Sequence, residues 1–352
     1  MLITALTLTI ALACAGAFFA FGGYSHWQAE KLLTQTCQGI LPRGELESLM
    51  MSDDLHGTSE RMIEGNAGWL DGCSVKAQEG KKGTTQFGIG WSGQAGMPLS
   101  ALGRVNFAGD GGTATPIGNG WTGSMTWSGG HGDASVLLAC QGMDKSLLVS
   151  VRSYRGLIED EVDQGFGALA KVSTLAAQNA AHKWGCNAQM GDPVHSATAP
   201  LKRVRKLPPL HQATGSCRAM IPFASALSSK GIRKVIDTPL DNSLIEDCNL
   251  LDAEGNSVYR FSAYYGPYAR DLLSTQALPT PSPAGLDQNS GAAWASTQCH
   301  NFFGTARFTS GLVYDSAGKA SASVDADLQR ELLAAFVKGS AERHGCSDVQ
   351  LP

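Results

Sequence analysis

Cysteine has the clearest chemical pattern in this 352-residue sequence. Eight of the nine cysteines form two sets of four with similar spacing, namely Cys37, Cys73, Cys140 and Cys186, then Cys217, Cys248, Cys299 and Cys346. The even number favours disulfides, although four cysteines allow three connectivities in each set. We expect neighbours to pair in order. Because the sequence contains no CxxC pair that would indicate a zinc ribbon or a redox centre, these cysteines predict an oxidising, extracytoplasmic environment.

His131 and Asp133 form a second group with possible chemistry, in the segment Gly-Gly-His-Gly-Asp. With Ser128 or Ser135 as the nucleophile they could serve a hydrolase. The G-x-S-x-G elbow that exposes such a serine is absent, and His and Asp are also common in turns. The eight histidines are scattered without the spacing of a metal motif. The sequence therefore favours a non-enzymatic protein without a metal, and a hydrolase near His131 and Asp133 is the alternative.

Glycine and tryptophan recur in the region between the second and third cysteines. Residues 88–93 and 118–123 both satisfy the dinucleotide-binding pattern G-x-G-x-x-G, but no helical periodicity follows them, so we expect no cofactor. Trp91, Trp121 and Trp127 are each followed by Ser or Thr and then Gly. Exposed rings could stack on a ligand such as a sugar, whereas buried rings would fill the core, which is the interpretation we favour.

The secondary structure predicted around the cysteines is similar in the two sets. Each set begins with Cys-x-x-x-[Leu/Ile]-Pro, in which Pro42 or Pro222 is expected to begin a helix. Each set ends with an amphipathic helix, with apolar residues at spacings of three and four, that stops at Gly185 or Gly345 just before the last cysteine. Between these helices, alternating patterns predict strands at residues 85–89, 146–152 and 257–261.

These patterns predict an α+β fold built as two tandem homologous domains stapled by disulfides, each with an antiparallel sheet and with N- and C-terminal helices packed on it. The boundaries are residues 1–27 for a transmembrane anchor, 28–188 for the first domain, 189–214 for a Pro-rich linker and 215–352 for the second domain. The basic run 202–206 in the linker could tether anionic polymers or lipid headgroups, but we favour a solvated joint.

The N-terminal segment predicts attachment to a membrane. Residues 2–24 contain no charged side chain, and as a helix they would span about 34 Å, slightly more than a hydrocarbon core of about 30 Å. We therefore expect a single-pass anchor in the cell membrane, with the bulk of the chain extracytoplasmic. Lipidation of Cys14, which follows a lipobox-like Ala-Leu-Ala, and cleavage as a signal peptide remain alternatives. The net charge of −4 gives no bulk attraction to nucleic acid.

The N-terminal anchor, the Gly/Ala-rich composition, the cysteine followed by Leu-Pro and the closing Gly-Cys helix together resemble actinobacterial cell-envelope proteins and lipoproteins of unknown function. The resemblance implies an extracytoplasmic location and supplies no catalytic residues. We therefore expect a membrane-tethered binding or envelope-structural protein, held in the membrane through residues 2–24, whose partner is an unknown ligand or envelope protein.

Overall fold

The computed structural model of the chain describes residues 31–59, 68–77, 83–93, 112–128, 131–154, 162–197, 207–274, 282–300, 303–314 and 319–352. The predicted anchor at residues 2–24, Cys14 and the basic run 202–206 lie outside these ranges. Within them, no helix combines the length and the apolar character needed to cross a membrane.

The first half consists of one antiparallel sheet, sheet 1, and helices at both ends of the chain segment. A 3₁₀ segment, Thr36–Gly39, and helix α1, Arg43–Met50, precede the sheet, and the long helix α2, Val162–Lys183, follows it. The strand order is β1-β2-β3-β7-β6-β5-β4. Its strands are β1 (Leu55–Ser59), β2 (Trp69–Ala77), β3 (Thr84–Ser92), β4 (Thr115–Gly118), β5 (Trp121–Ser128), β6 (His131–Ala139) and β7 (Ser146–Tyr154).

The second half has a similar plan, built on sheet 2. Two 3₁₀ segments, Leu210–Gln212 and Ser216–Phe223, lead into α3, Ala224–Ser229. The strand order is β11-β12-β13-β10-β9-β8, with β14 paired to β12. The remaining elements are β8 (Lys234–Asp237), β9 (Ile245–Leu251), β10 (Ser257–Tyr265), α4 (Pro267–Ser274), β11 (Gly285–Leu286), β12 (Ala293–Cys299), β13 (Thr305–Leu312), α5 (Ala326–Arg343) and β14 (Cys346–Gln350).

The strands of the two sheets correspond in order and in register. The order β1-β2-β3-β7-β6-β5 in sheet 1 matches β8-β9-β10-β13-β12-β11 in sheet 2. Four residues lie side by side across each sheet at matching positions, namely Cys73, Phe87, Val151 and Ala134 in sheet 1 and Cys248, Phe261, Ser310 and Ala293 in sheet 2. Residues at matching register positions can therefore be compared between the two sheets.

Four disulfides join the cysteines in the predicted order of neighbours. Cys37–Cys73 and Cys217–Cys248 fasten the opening 3₁₀ segment of each half to the second strand of its sheet. The other disulfide of each half joins a strand to the chain that follows the long helix. Cys140–Cys186 does this for β6, and Cys299–Cys346 does it for β12. The α+β class and the disulfide framework are thus confirmed, and each bond lies within one half.

The predicted ends of the helices are confirmed at three of four places. Gly185 and Gly345 have φ values of 68° and 62°, the left-handed conformation that stops a helix at low cost for glycine. Pro42 directly precedes α1. The prediction that Pro222 begins a helix is wrong, because Pro222 lies inside the 3₁₀ segment Ser216–Phe223. That tighter turn is held to β9 by the Cys217 disulfide and by the Ser216 hydroxyl, which donates to the Asp247 carbonyl.

The two halves contact each other through the sheet faces that do not carry the long helices. We call these the inner faces. The backbone N–H of Ala114 donates to the Asp247 carboxylate at 2.7 Å, and the Tyr268 hydroxyl donates to Ser135 at 2.9 Å. Leu137 and Leu148 of the first half pack in the hydrophobic core of the second half. Polar and apolar contacts together therefore hold the halves in a fixed arrangement.

Candidate functional site

The inner face of sheet 2 is polar and buried. Side chains alternate along a strand, so Cys248, Phe261 and Phe308 face the helices while their neighbours in sequence point to the inner face. Nine inner-face residues are all at most 8% exposed, namely Asp247, Asn249, Arg260, Ser262, Tyr264, Trp294, Ser296, Arg307 and Thr309. Polar groups are buried only at a cost unless they are paired, so this face is the first candidate for a function.

Asp247 is the centre of the contact between the halves. Its carboxylate, which is fully buried, accepts hydrogen bonds from the Ser262 hydroxyl at 2.6 Å and from the Arg260 guanidinium at 3.3 Å, besides the Ala114 N–H. The Arg260 guanidinium also approaches the Gly112 carbonyl at 3.4 Å. Burial alone would lower the pKa of Arg260, but the Asp247 charge and hydrogen bond, together with Tyr264, outweigh it and raise that pKa. This ion pair is therefore structural.

Arg307 differs from Arg260 because no carboxylate faces it within the described ranges. Its side chain is buried, and its Nη1 donates to the Pro283 carbonyl at 3.2 Å, whereas its Nε has no hydrogen-bond partner there. Burial lowers the pKa of Arg307, and no charge among the residues that the structure describes opposes this effect. Since arginine stays protonated in proteins, this position holds a buried positive charge that described residues do not neutralise.

One more unpaired donor lies close to Arg307 in the sheet. Thr309 lies opposite Ser262 on β10 and opposite Trp294 on β12, and its hydroxyl is buried without a partner in the described structure. The Nε atom of Arg260 is also unpaired, but Arg260 lies opposite Gly311, four residues from Arg307 along β13. We call Arg307 and Thr309 the arginine site. It carries the single positive charge of Arg307.

A second buried polar cluster attaches the end of α5 to the opposite face of sheet 2. The Glu246 carboxylate accepts from Ser340 at 2.5 Å, from Arg343 at 2.7 Å and from His344 at 2.9 Å. The Tyr265 hydroxyl shares a hydrogen bond with Ser340 at 2.5 Å. Burial opposes ionisation of Glu246, yet the His344 hydrogen bond and the Arg343 charge hold its pKa below the ordinary value. Each of these acceptors and donors has a partner, which fits a structural role.

We expect this cluster to make the protein sensitive to acid. Because the pKa of Glu246 is lowered on folding, its contribution is present above the ordinary value of 4.5 and is lost as the pH falls below that value through the folded pKa. In Glu246→Gln, the free energy of unfolding, measured by urea denaturation, should be lower at neutral pH and fall less steeply below pH 4.5. The exposed Glu254→Gln is the control. If the free energy of unfolding fell equally steeply below pH 4.5 in Glu246→Gln and in the wild type, this assignment would be contradicted.

The structure brings His131 and Asp133 together on β6, as the hydrolase alternative requires. His131 Nε2 lies 3.5 Å from Asp133 Oδ2, and Arg152 on β7 donates its Nε–H to Asp133 Oδ1 at 2.5 Å. Ser135 is buried, and its hydroxyl bonds to Ser150 and to Tyr268. Asp133 therefore pairs with Arg152, and Ser135 lies beneath the other half. The side chain of Ser128 lies outside the described structure.

The three tryptophans lie in the core of the first half. Trp91, Trp121 and Trp127 are at most 9% exposed. The Trp127 ring lies 5.7 Å from that of Phe166 on α2, and the Trp121 Nε1 donates to the Asp192 carbonyl at 2.8 Å. The Lys145 Nζ lies 3.9 Å from the centre of the Trp91 ring. All three rings belong to the hydrophobic core of the first half, so they present little surface on which a ligand could stack.

The comparisons with known proteins give no family. No protein-family model matches this chain, and none of the curated proteins matches it significantly. Among solved structures, the crystal structure of the di-domain ARO/CYC StfQ from the steffimycin biosynthetic pathway is similar at 9% sequence identity, over 86% of this chain and 91% of that chain. The TM-score is 0.15, so this likeness carries no argument about fold or function.

A groove also lies on the far side of the second half. It has a volume of about 600 Å³ and lies along α5, between Phe223 and the C-terminal residues Val349 and Leu351. Its wall is mainly apolar, with Ala334 and Ala335 at its floor. Ligand sites usually combine an apolar wall with a few convergent polar groups, and the inner face of sheet 2 supplies more of them.

No sequence pattern identified the arginine site. Arg307 and Thr309 belong to no motif, and their position beside Tyr264 and Ser262 depends on the pairing of β13 with β10. A signal was nevertheless present. Arg307 interrupts an apolar strand pattern, and strand alternation would have placed it on the side opposite Phe308.

Proposed function

We propose that this protein is a membrane-tethered, extracytoplasmic binding protein without enzymatic activity. Each half contains two disulfides, at corresponding places in the two halves. These bonds support an oxidising location, because disulfides persist outside the cytosol. One observation favours binding over a purely structural role in the envelope. It is the buried Arg307 guanidinium, which no described carboxylate neutralises and which lies on a sheet face between the two halves.

We also propose that the halves arose by tandem duplication. The matching strand register supports this, and so does a pair of carboxylates at corresponding positions. Asp71 lies opposite Ile89, and Glu246 lies opposite Ala263, two pairs that occupy the same place in the two sheets. Each carboxylate interacts with a basic residue two positions before the closing glycine, Lys183 for Asp71 and Arg343 for Glu246. The duplicated part is the framework, and the arginine site belongs to the second half.

The hydrolase alternative has less support. His131 and Asp133 are adjacent, but the Asp133 carboxylate also bonds to Arg152, and the hydroxyl of Ser135 is bonded to Tyr268 from the other half. A nucleophile must be exposed to substrate and hydrogen-bonded to its base. We therefore interpret these residues as an ion-pair network at the edge of the contact between halves.

The location can be tested in cells that produce the full chain. Free thiols are alkylated under denaturing conditions without reductant, and the sample is then reduced and labelled with a second reagent. An extracytoplasmic protein should carry the second label at all eight cysteines from Cys37 to Cys346. If those eight cysteines carried the first label instead, they would have been free thiols, and the proposal would be contradicted. As a matched control, a version whose residues 1–27 are deleted should stay in the cytosol and take up the first reagent.

The mode of attachment is tested separately. Washing membranes with alkaline carbonate should leave the full chain in the membrane fraction. The mass of the N-terminal peptide then separates the three possibilities, which are a retained anchor, an acylated Cys14 and a cleaved leader. Exchanging residues 1–27 for a cleavable export signal should release the protein in soluble form. Recovery of the unmodified chain in the soluble fraction would refute tethering.

A further inference from the structure

We propose that the arginine site binds an oxyanion, the carboxylate or phosphate group of a small ligand, between the two halves of the protein. This inference rests on the proposed binding function and names the chemical class of the ligand. It depends on three features. Two belong to the second half, namely the uncompensated charge of Arg307 and the unpaired donor groups at this site. The third is the residue at the same position in the first half.

Charge gives the first argument. Two other arginines of the sheets have a carboxylate partner, Asp247 for Arg260 at 3.3 Å and Asp133 for Arg152 at 2.5 Å. Arg307 is only 8% exposed, and the described residues offer it a single carbonyl. Leaving an ion buried without a counter-charge destabilises the folded state. An anionic ligand that enters this face would remove that destabilisation.

The donors give the second argument. The Nε–H group of Arg307 and the Thr309 hydroxyl are buried donors without acceptors in the described structure. A guanidinium presents parallel N–H groups that match the two oxygens of a carboxylate or phosphate. Thr309 lies on β13 two residues from Arg307, on the same face of the strand. These unpaired groups therefore require acceptor oxygens, which is what an oxyanion supplies.

The first half gives the third argument, because it has the same framework without this chemistry. The register places Leu148 of β7 at the position that Arg307 occupies on β13. Leu148 is 2% exposed and packs in the core shared by the halves. The fold at this position is thus built with an apolar residue in one copy, so the arginine is not required for the fold itself.

This leads to a test on the purified full chain in detergent. Sodium phosphate and sodium acetate are the probes, titrated at constant ionic strength, with calorimetry for the dissociation constant and thermal unfolding for stability. At least one probe should bind the wild type and raise its midpoint of unfolding. Arg307→Met should weaken that binding at least tenfold, and Arg307→Lys should weaken it less because the charge remains. The exposed Arg330→Met is the matched control and should bind as the wild type does.

Stability without ligand provides a second readout. Met has nearly the length of Arg and carries no charge, and exchange of buried ions for apolar residues of similar volume is often neutral or stabilising. Arg307→Met should therefore unfold at the same temperature as the wild type or higher when no anion is added. Tighter binding of phosphate would indicate a phosphorylated ligand, and tighter binding of acetate would indicate a carboxylic acid.

Two results would overturn the inference. One is that neither probe binds or stabilises the wild type. The other is that Arg307→Met responds to the probes as Arg330→Met does. Neither result touches the proposed location and tethering, because thiol labelling and carbonate extraction are independent of the anion.

Discussion

Asp247→Ala should lower the free energy of unfolding by about 3–5 kcal/mol, because it leaves Arg260 buried without its counter-ion. It also removes the acceptor for the Ala114 N–H and for the Ser262 hydroxyl. Both halves lose contacts at once, so we expect the loss across a single unfolding transition. Urea denaturation of the full chain at neutral pH measures this change.

Two companion variants make the Asp247 result specific. The exposed Asp327→Ala, which removes a surface pair with Arg330, should change stability by no more than about 0.5 kcal/mol. The double variant Asp247→Leu/Arg260→Met should be more stable than Asp247→Ala, since no unpaired charge remains. Equal losses in Asp247→Ala and Asp327→Ala would mean that the buried pair does not stabilise the contact between the halves.

The largest effect on stability should come from the disulfide Cys217–Cys248, in the variant Cys217→Ala/Cys248→Ala. The bond closes a segment with a sequence separation of 31, and the chain-entropy model gives a loss of about 4 kcal/mol when such a crosslink is removed. Both cysteines are fully buried in the core of the second half, so the variant also loses packing. The free energy of unfolding, again by urea, should fall by at least this amount.

Cys14→Ala is the matched control for the disulfide variant, because it removes the ninth cysteine and leaves all four bonds in place. It should unfold as the wild type does. If Cys217→Ala/Cys248→Ala were also as stable as the wild type, the bond would contribute nothing to the folded state, and the view of the opening 3₁₀ segment as held by its disulfide would be wrong.

Local patterns were enough to predict three of the strands and the ends of the two long helices. The predicted strands 85–89, 146–152 and 257–261 lie within β3, β7 and β10, and the two long helices end at the predicted glycines. These features depend on residues close together in sequence, where alternation, helical spacing and glycine act directly. The expected pairing of neighbouring cysteines is confirmed because each disulfide joins residues of the same half.

Long-range pairing was not predictable, and the arginine site depends on it. β10 and β13 are separated by α4, a Pro-rich segment and two strands, so nothing local places Thr309 beside Ser262. The strand β14 was also missed. Cys346–Gln350 lacks an alternating apolar pattern, and it becomes a strand because the disulfide to Cys299 fixes it beside β12. For Pro222, a tertiary contact overrode a local preference.

Each disulfide lies within one half, and this has a consequence for a nicked protein. A single proteolytic cut between Cys186 and Cys217 would yield two fragments with two internal crosslinks each and no covalent bond between them. Their association would then depend on concentration, and hydrogen bonds such as Ala114 to Asp247 would set a dissociation constant rather than a folding energy. Cleavage in the joint would thus turn an intramolecular contact into a reversible heterodimer.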